Sequence, residues 1–211
     1  DEMMSSISSL NTITYTIDAK ELIDDRIIHT KTKVKLQNNP FCVYNYTLEP
    51  KQGIEVLFTY KNDKAIINPN GFPFFNLNLS PYSRIMRKDQ HHTLYETGFK
   101  FLRDVFISLF NDLKKDPNKY IIDLGFKEYR GKKCKVLQLQ NPNFVFKKYI
   151  VQENEDIQDI ATRMSFSSYL ILITNNLDFY TDIGVGDTIM VPNTYAESFE
   201  VWIDLVSKLP V

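Results

Sequence analysis

The sequence predicts an α+β fold: a curved antiparallel β-sheet packed on a long helix, with a small βααβ module inserted late in the chain. Three observations support this prediction. Apolar and polar residues alternate through most of the first 80 positions, which is the period of half-buried strands. Apolar residues then recur at three- and four-residue spacing between residues 93 and 114, as on one face of a helix. Residues 149–192 finally follow a strand, helix, helix, strand pattern.

The composition of the 211 residues is that of a globular chain with one large domain, or one domain with a small insert. Hydrophobic residues make up 43% of the chain and include 15 Phe and 12 Tyr, which allows a sizeable core and favours strands. The net charge of −1 argues against a dedicated nucleic-acid binder, which would carry a basic excess. No apolar run approaches the roughly 20 residues that a transmembrane helix needs.

Motifs that carry catalytic chemistry are absent from the sequence. It contains no Ser-His-Asp order, P-loop or Rossmann glycine pattern, and its seven glycines leave little room for phosphate-binding loops. Cys42 and Cys134 lie in strand patterns, and the sequence leaves open whether they pair or stay free thiols. We therefore expect a protein that is not an enzyme and that needs no cofactor or metal.

The predicted sheet begins after a short helix at residues 3–10. Tyr15, Ile17 and Ala19 alternate with polar neighbours in the first strand, and at least five consecutive strands precede residue 80. Turn residues separate them, most clearly Asn-Pro-Asn-Gly at 68–71. Two later strands flank an Arg-Gly-Lys turn within residues 120–140, and we expect them to form a hairpin.

A long amphipathic helix is predicted between the meander and that hairpin. Thr93 and Glu96 have the spacing of a capping box, which satisfies free backbone N–H groups at a helix start. Lys114 and Lys115 suit the negative end of the helix dipole, just before Pro117. The apolar stripe between these ends consists of Tyr95, Phe99, Leu102, Phe106, Leu109, Phe110 and Leu113.

The late insert begins with YIVQENEDIQDIA, residues 149–161. A strand at Tyr149–Val151 leads into an acidic turn, one helix starts at Asp156, another lies near 168–174, and a last strand follows Gly186. This pattern resembles a LysM domain, a small module that binds N-acetylglucosamine-containing glycans of cell walls. The resemblance rests on Tyr149, Val151, Ile157, Ile160, Ala161, Ile171, Asn175, Gly186, Ile189, Val191 and Pro192.

Most of these matched positions have structural roles, so the resemblance implies the fold more directly than it implies sugar binding. Glycan-binding LysM domains typically have Gly-Asp-Thr in the first turn, where backbone groups meet the N-acetyl group of the sugar. This chain has three other residues there, preceded by Glu153, which makes the turn acidic and leaves a purely structural insert as the alternative. If the module binds glycan, the resemblance places Asn154, Glu155, Asp156, Leu172 and Asn175 at the site.

The rest of the chain resembles a second family. The segment SFEVWIDLVSKLPV, residues 198–211, is similar to the end of the sheet in LolA-like lipoprotein-sorting proteins, whose sheet would continue into another strand. The stretches VKLQNNPFCVYNYTLEPKQGIEVLF, INPNGFPFFNLNLSP and MRKDQHHTLYETGF resemble an uncharacterised exported family of Bacteroidetes, with a LolA-like half-barrel and a LysM-like insert. This resemblance implies a LolA-like domain at 1–148 and 197–211, and an inserted module at 149–196.

The resemblance implies a non-catalytic binding protein of the periplasm or cell envelope. A lipid or acyl chain would lie in an apolar cavity, on the order of several hundred Å³, between the helix at 93–114 and the concave face of the sheet. A filled core is the alternative for that space. The second candidate function is an adaptor that binds peptidoglycan or another protein through the LysM-like module. A lipid or a lipoprotein is the other expected partner. The candidate ligand-binding residues are Arg84, Arg87, His91, His92, Tyr95 and Phe99.

The adjacent residues His91 and His92 are weak candidates for a metal site. On a helix their side chains would diverge by about 100°, so a shared metal would need a third ligand such as Asp89, Glu96 or His29. The structural alternative is that one histidine satisfies backbone groups and the other packs on the sheet. The chain opens DEMMSSISS, without the basic and apolar regions of a signal peptide, so its start is either a mature end after cleavage or a trimmed end. The resemblance to an exported family implies the first of these, a protein of the periplasm or cell envelope.

Overall fold

The computed structural model describes residues 2–113 and 116–211, and residues 110–113 by their backbone alone. It has the predicted α+β class with mostly antiparallel sheets. The chain divides into two compact units: the meander unit, Leu10–Gly98, and the mixed unit, Asp1–Ser9 with Phe99–Val211. The predicted insert at 149–196 lies within the mixed unit, and its boundaries stay a prediction.

The meander unit contains a six-stranded antiparallel sheet. Its strands are β1 Thr12–Ile23, β2 Arg26–Asn38, β3 Phe41–Glu49, β4 Glu55–Thr59, β5 Ala65–Asn68 and β6 Leu77–Leu79. Each strand pairs with the next one along the chain, which confirms the predicted meander. Since β1 and β6 are its edge strands, this sheet is open and does not close into a barrel.

One face of this sheet is buried under the chain that follows it. Two short helical segments cover that face: α2 at Arg84–Arg87 and a 3₁₀ turn at Leu94–Glu96. They contribute Met86 and Leu94, which pack on the core. The core itself consists of Val34, Leu36, Val43, Phe58, Ala65 and Ile67. The apolar face is therefore closed by residues of its own unit.

The predicted helix at 93–114 begins later than its capping box suggested. The Glu96 carboxylate accepts a hydrogen bond from the Thr93 N–H at 2.9 Å, as the box predicts, but only the 3₁₀ turn follows. Gly98 then takes a φ of +93°, which favours glycine, and a side chain there would collide with Leu36. The long helix starts only at the next residue, and its predicted end at Lys114-Lys115 lies outside the described residues.

The mixed unit combines the long helix with two small sheets. Its elements are α1 Glu2–Ser9, α3 Phe99–Leu113, α4 Pro117–Tyr120, β7 Ile121–Tyr129, β8 Lys132–Gln140, β9 Phe146–Ile150, α5 Ile157–Met164, α6 Ser168–Thr174, β10 Thr188–Pro192 and β11 Ser198–Asp204. β7 and β8 form the predicted hairpin, and β11 pairs on the other side of β8. Within the described residues the strands form three sheets, whereas we predicted one curved sheet besides the strand pair of the module; the predicted curved sheet is thus divided in two, and the chain between β6 and β7 is helical or irregular where described.

The helix α3 packs on the three-stranded sheet of its own unit. Phe106 lies in a buried cluster with Leu139 of β8 and Val201 of β11. The space left beside Leu109 and Phe199 is about 10 Å³, which is too small for an acyl chain. Where the side chains are described, the helix and the sheet thus share a buried core.

The connection between β8 and β11 carries the βααβ module, and asparagine side chains hold its two ends together. Gln140 pairs with Ser198, so the strands are neighbours despite the long connection. The buried Asn141 Nδ2 donates to Asn193 Oδ1 at 3.3 Å, and Asn193 Nδ2 donates to the Asn143 carbonyl at 2.8 Å. The end of β8 and the start of β11 are therefore held next to each other.

Candidate functional site

The βααβ module, residues 146–192, is built around a core of its own. β9 and β10 pair antiparallel, with Ile150 opposite Thr188, and α5 and α6 lie between them in the chain. The buried core consists of Val151, Ile157, Ile160, Ala161, Phe166, Ile171, Leu172, Tyr180, Ile189 and Val191. The apolar positions that carried the sequence pattern are therefore mostly core positions, and the accessible part of the module is its loops.

The first turn of the module, residues 152–156, has two special backbone positions. Asn154 has a φ of 60°, in the left-handed region that glycine and asparagine adopt most readily. Asp156 is the N-cap of α5: its carboxylate accepts from the Asp159 N–H at 2.9 Å, and the Asp159 carboxylate accepts from the Asp156 N–H at 3.0 Å. Burial raises the pKa of the Asp156 carboxyl above its ordinary value. The turn therefore follows a fixed path into the helix.

The Glu155 carboxylate is held by three groups of the module. It accepts hydrogen bonds from the Tyr149 hydroxyl at 2.6 Å and the Gln152 N–H at 3.1 Å, and it pairs with the Arg163 guanidinium at 2.5 Å. The hydrogen bond from Tyr149 is the main reason that the pKa of Glu155 lies below its ordinary value, and the pair with Arg163 adds to it. Arg163 also donates to the Tyr149 hydroxyl at 2.7 Å. One of the acidic charges of this turn is thus compensated inside the module.

The loop after α6 lies against the first turn. The Ile157 N–H donates to the Tyr180 carbonyl at 3.1 Å, where the first turn becomes a helix. Val151 exchanges two backbone hydrogen bonds with the end of the loop, donating to the Asp187 carbonyl at 2.9 Å and accepting from the Gly186 N–H at 3.0 Å. These bonds place the two loops side by side at one edge of the module.

The other two predicted glycan contacts, Leu172 and Asn175, have structural positions. Leu172 lies in the buried core. The Asn175 side chain donates to the carbonyls of Ile171 and Met190, each at 2.8 Å, and accepts from the Met190 N–H at 2.7 Å. This amide ties α6 to β10, as a capping asparagine does. The structure thus groups Asn154, Glu155 and Asp156 on the accessible turn and gives Leu172 and Asn175 internal contacts.

The second group of predicted site residues lies mainly in the meander unit. Arg84 is exposed on α2, whereas Arg87 is buried and donates to the His91 carbonyl at 3.1 Å. The His91 ring lies 2.9 Å from the Leu22 carbonyl, and its backbone N–H donates to a Glu21 carboxylate oxygen at 3.2 Å. These contacts tie the segment after α2 to the hairpin of β1 and β2.

The remaining members of this group have local partners as well. His92 Nδ1 lies 3.1 Å from the Glu96 carboxylate. The Tyr95 ring stacks on Tyr82 with centroids 5.2 Å apart and meets the Phe58 ring edge-on at 5.0 Å. Phe99 is the first residue of α3 and belongs to the mixed unit, so the structure does not place it in the compact unit of the other five. Their role in ligand binding stays a prediction.

Within residues 2–113 and 116–211, no group of three or more His, Cys, Asp or Glu side chains is placed to hold a metal ion. Cys42 and Cys134 are free thiols. Over the same residues, no helix has both the length and the apolar character to cross a lipid bilayer.

The contact of the first turn that sequence reasoning missed is Arg163. It lies eight residues after Glu155, on the last turn of α5, and only the fold brings the two together. A basic residue in the last turn of a helix is so common that its sequence position gives no sign of this pairing.

Two comparisons with known proteins bear on identity. No match was found among curated proteins. A family model described as "Protein of unknown function (DUF1571)" matches residues 10–159, which is more than half of the chain and includes the whole six-stranded sheet. The chain therefore belongs to the DUF1571 family of proteins of unknown function.

Proposed function

We propose that the protein is a non-catalytic binding protein of the cell envelope, and that its βααβ module is a LysM-like module that binds N-acetylglucosamine-containing glycans such as peptidoglycan. The observation that carries the proposal is the geometry of the first turn. In glycan-binding LysM domains this turn reads Gly-Asp-Thr and offers its backbone to the sugar, and here it reads Asn154-Glu155-Asp156.

Two of the three replacements in that turn, Asn154 and Asp156, keep the physical role of the residue they replace. Asparagine tolerates the left-handed conformation that glycine provides, and Asn154 adopts it with a φ of 60°. Aspartate caps a helix as well as threonine does, and Asp156 is the N-cap of α5. Since Arg163 compensates Glu155, the acidic composition of the turn opposes a neutral sugar less than the sequence suggested. The backbone path needed for an N-acetyl group is therefore compatible with this sequence.

Glycan binding has better support than the lipid-carrying function of a LolA-like half-barrel, because the six-stranded sheet offers little apolar space for a lipid. The apolar face of the six-stranded sheet is covered by Met86 and Leu94. A concavity of about 390 Å³ lies on β1, β2 and β3, but its lining mixes Ile13 and Leu36 with polar and charged side chains such as Lys35, unlike the apolar cavity expected for an acyl chain. A lipid in the sheet therefore has weaker support than a sugar on the module.

The test compares two substitutions at the same position. Asn154→Gly keeps the left-handed backbone open, whereas Asn154→Val strains it because a β-branched residue strongly disfavours a positive φ. We expect wild type and Asn154→Gly to bind insoluble peptidoglycan and a chitin oligosaccharide, and Asn154→Val to bind about tenfold more weakly. Pull-down and isothermal titration calorimetry measure this difference, with hydrogen exchange of the module core as a check that Asn154→Val is folded.

Two results would contradict the proposal. One is a wild-type protein that binds neither ligand. The other is equal binding by both variants, since the sugar would then not depend on the path of the first turn.

A further inference from the structure

Three phenylalanine side chains are exposed in the loop between β5 and β6. Phe72, Phe74 and Phe75 are 83%, 89% and 67% exposed, and the first two rings meet edge to face with centroids 6.2 Å apart. We name residues 69–76 the phenylalanine loop. A buried Phe removes about 150–250 Å² from water, so three exposed rings form an apolar patch of the size that marks interaction sites.

Asparagine side chains hold the base of the phenylalanine loop. Asn68 Oδ1 accepts a hydrogen bond from the Asn70 N–H at 3.1 Å, and Asn70 Nδ2 donates to the Gln52 carbonyl at 3.1 Å in the turn between β3 and β4. Gly53 in that turn has a φ of +93°, and a side chain there would collide with Asn70. The exposed rings are therefore presented by an anchored loop.

The absence of charge within the phenylalanine loop distinguishes it from a neighbouring turn. Residues 65–83 contain no Asp, Glu, Lys, Arg or His. In an antiparallel meander the β1–β2 and β5–β6 connections lie at the same end of the sheet. The β1–β2 hairpin also exposes apolar side chains, Leu22 at 59% and Ile27 at 71%, but its tip is the charged pair Asp24-Asp25. Of these two apolar tips, only the phenylalanine loop is uncharged.

A lipid surface is the partner that fits an uncharged, protruding aromatic tip. The interface of a bilayer accepts aromatic rings and deforms around them, so it needs no preformed pocket, whereas charged residues oppose entry. A protein partner would need a complementary cavity and a polar rim that pairs with it. We propose that the phenylalanine loop docks the protein on a membrane by inserting Phe72, Phe74 and Phe75 at the boundary of headgroups and acyl chains. This proposal is independent of glycan binding, which rests on the βααβ module.

The first experiment is co-sedimentation of the full chain with phosphatidylcholine vesicles. We expect wild type to sediment with them, and the combined variant Phe72→Ser, Phe74→Ser, Phe75→Ser to bind at least about tenfold more weakly, because binding scales with the apolar area inserted. Since the loop carries no charge, adding salt or anionic lipid is expected to change wild-type binding by less than about twofold. Wild-type protein that stays in solution, or binding that requires anionic lipid, would overturn the proposal.

Two further variants localise the contact. The matched control Leu22→Ser, Ile27→Ser removes apolar surface at the same end of the sheet and is expected to bind as wild type does. In a Trp202→Phe background, Phe74→Trp places the single tryptophan at the tip, and we expect its emission to shift to the blue with vesicles and to be quenched by brominated lipid. An unshifted emission, or an equal loss of binding in the control, would overturn the proposal. So would a wild type that ignores vesicles and uses the loop to form a dimer or a complex with another protein.

Discussion

The meander unit and the βααβ module use their aromatic residues differently. Every aromatic residue of the module, from Phe146 to Tyr180, is buried or partly buried. The meander unit buries Phe58, yet it exposes a larger set of aromatic side chains: Tyr60, Phe72, Phe74, Phe75, Tyr82 and Tyr95. A module that folds around two helices needs its aromatic rings for its own core, whereas a sheet with one covered face does not.

Because of this difference, we expect the two regions to bind different kinds of partner. The module offers loop backbone and polar side chains, as in the turn at residues 152–156, so it suits a polar ligand such as a sugar. The meander unit offers aromatic surface at its turns, as in the phenylalanine loop, so it suits an apolar partner. Three measurements test this comparison through stability.

The largest effect is expected from the core of the meander unit. Phe58 is almost fully buried and contacts the rings of Phe41 and Tyr95. Phe58→Ala is expected to lower the free energy of unfolding by about 3–5 kcal/mol, through lost burial and the cavity left behind. Urea denaturation measures the change. The control Phe72→Ala removes the same side chain from an exposed site and is expected to stay within about 0.5 kcal/mol of wild type. A similar loss of unfolding free energy in both variants would contradict the conclusion that Phe58 stabilises the fold and Phe72 does not.

The second effect tests whether the core of the module is its own. Ile160 is fully buried between the helices and strands of the module. Ile160→Ala is expected to cost about 2–5 kcal/mol, while the control Ile173→Ala, at an exposed position of α6, costs little. Hydrogen exchange with mass spectrometry is expected to locate the faster exchange of Ile160→Ala in residues 146–192. Equal acceleration in β1–β6 would show that the two cores are not separate.

The smallest effect concerns alkaline pH. Burial raises the pKa of the Tyr15 hydroxyl to about 12, while a hydrogen bond with the Gly98 backbone acts in the opposite direction. Because the folded pKa exceeds the unfolded value of about 10, the neutral Tyr15 stabilises the fold fully below about pH 10, and this contribution is lost as pH rises through about 12. Urea midpoints across this range are expected to fall less steeply for Tyr15→Phe than for wild type. Parallel curves would exclude this role for Tyr15.

Acidic pH is expected to act on the mixed unit instead. Hydrogen bonds from the Val206 N–H and the Ser207 hydroxyl, with the nearby Lys132, lower the pKa of Asp204. A lowered pKa means that the stabilising contribution is present above the unfolded value, and is lost as pH falls through the folded one. Asp204 is thus expected to affect stability at acidic pH, and Tyr15 at alkaline pH.

Local sequence patterns predicted most of the fold. The meander, the β7–β8 hairpin and the order β9, α5, α6, β10 follow from periodicity and turn residues, because each depends on neighbours in the chain. The start of α3 was wrong since the capping box at Thr93 and Glu96 forms, but Gly98 ends the turn it opens. The division into three sheets depends on long-range packing that no local pattern reports. The candidate site was predicted in part: its turn residues were identified, whereas the pairing of Glu155 with Arg163 required the fold.

The asparagine hydrogen bonds at the base of the module bear on whether the module could be replaced by a shorter connection. Asn141 and Asn193 bring the two ends of the module together, and β8 and β11 are direct neighbours, with Gln140 paired with Ser198. A short turn could join these strands without moving either of them. We therefore expect that a short turn in place of residues 142–197 would leave the pairing of β8 with β11 intact.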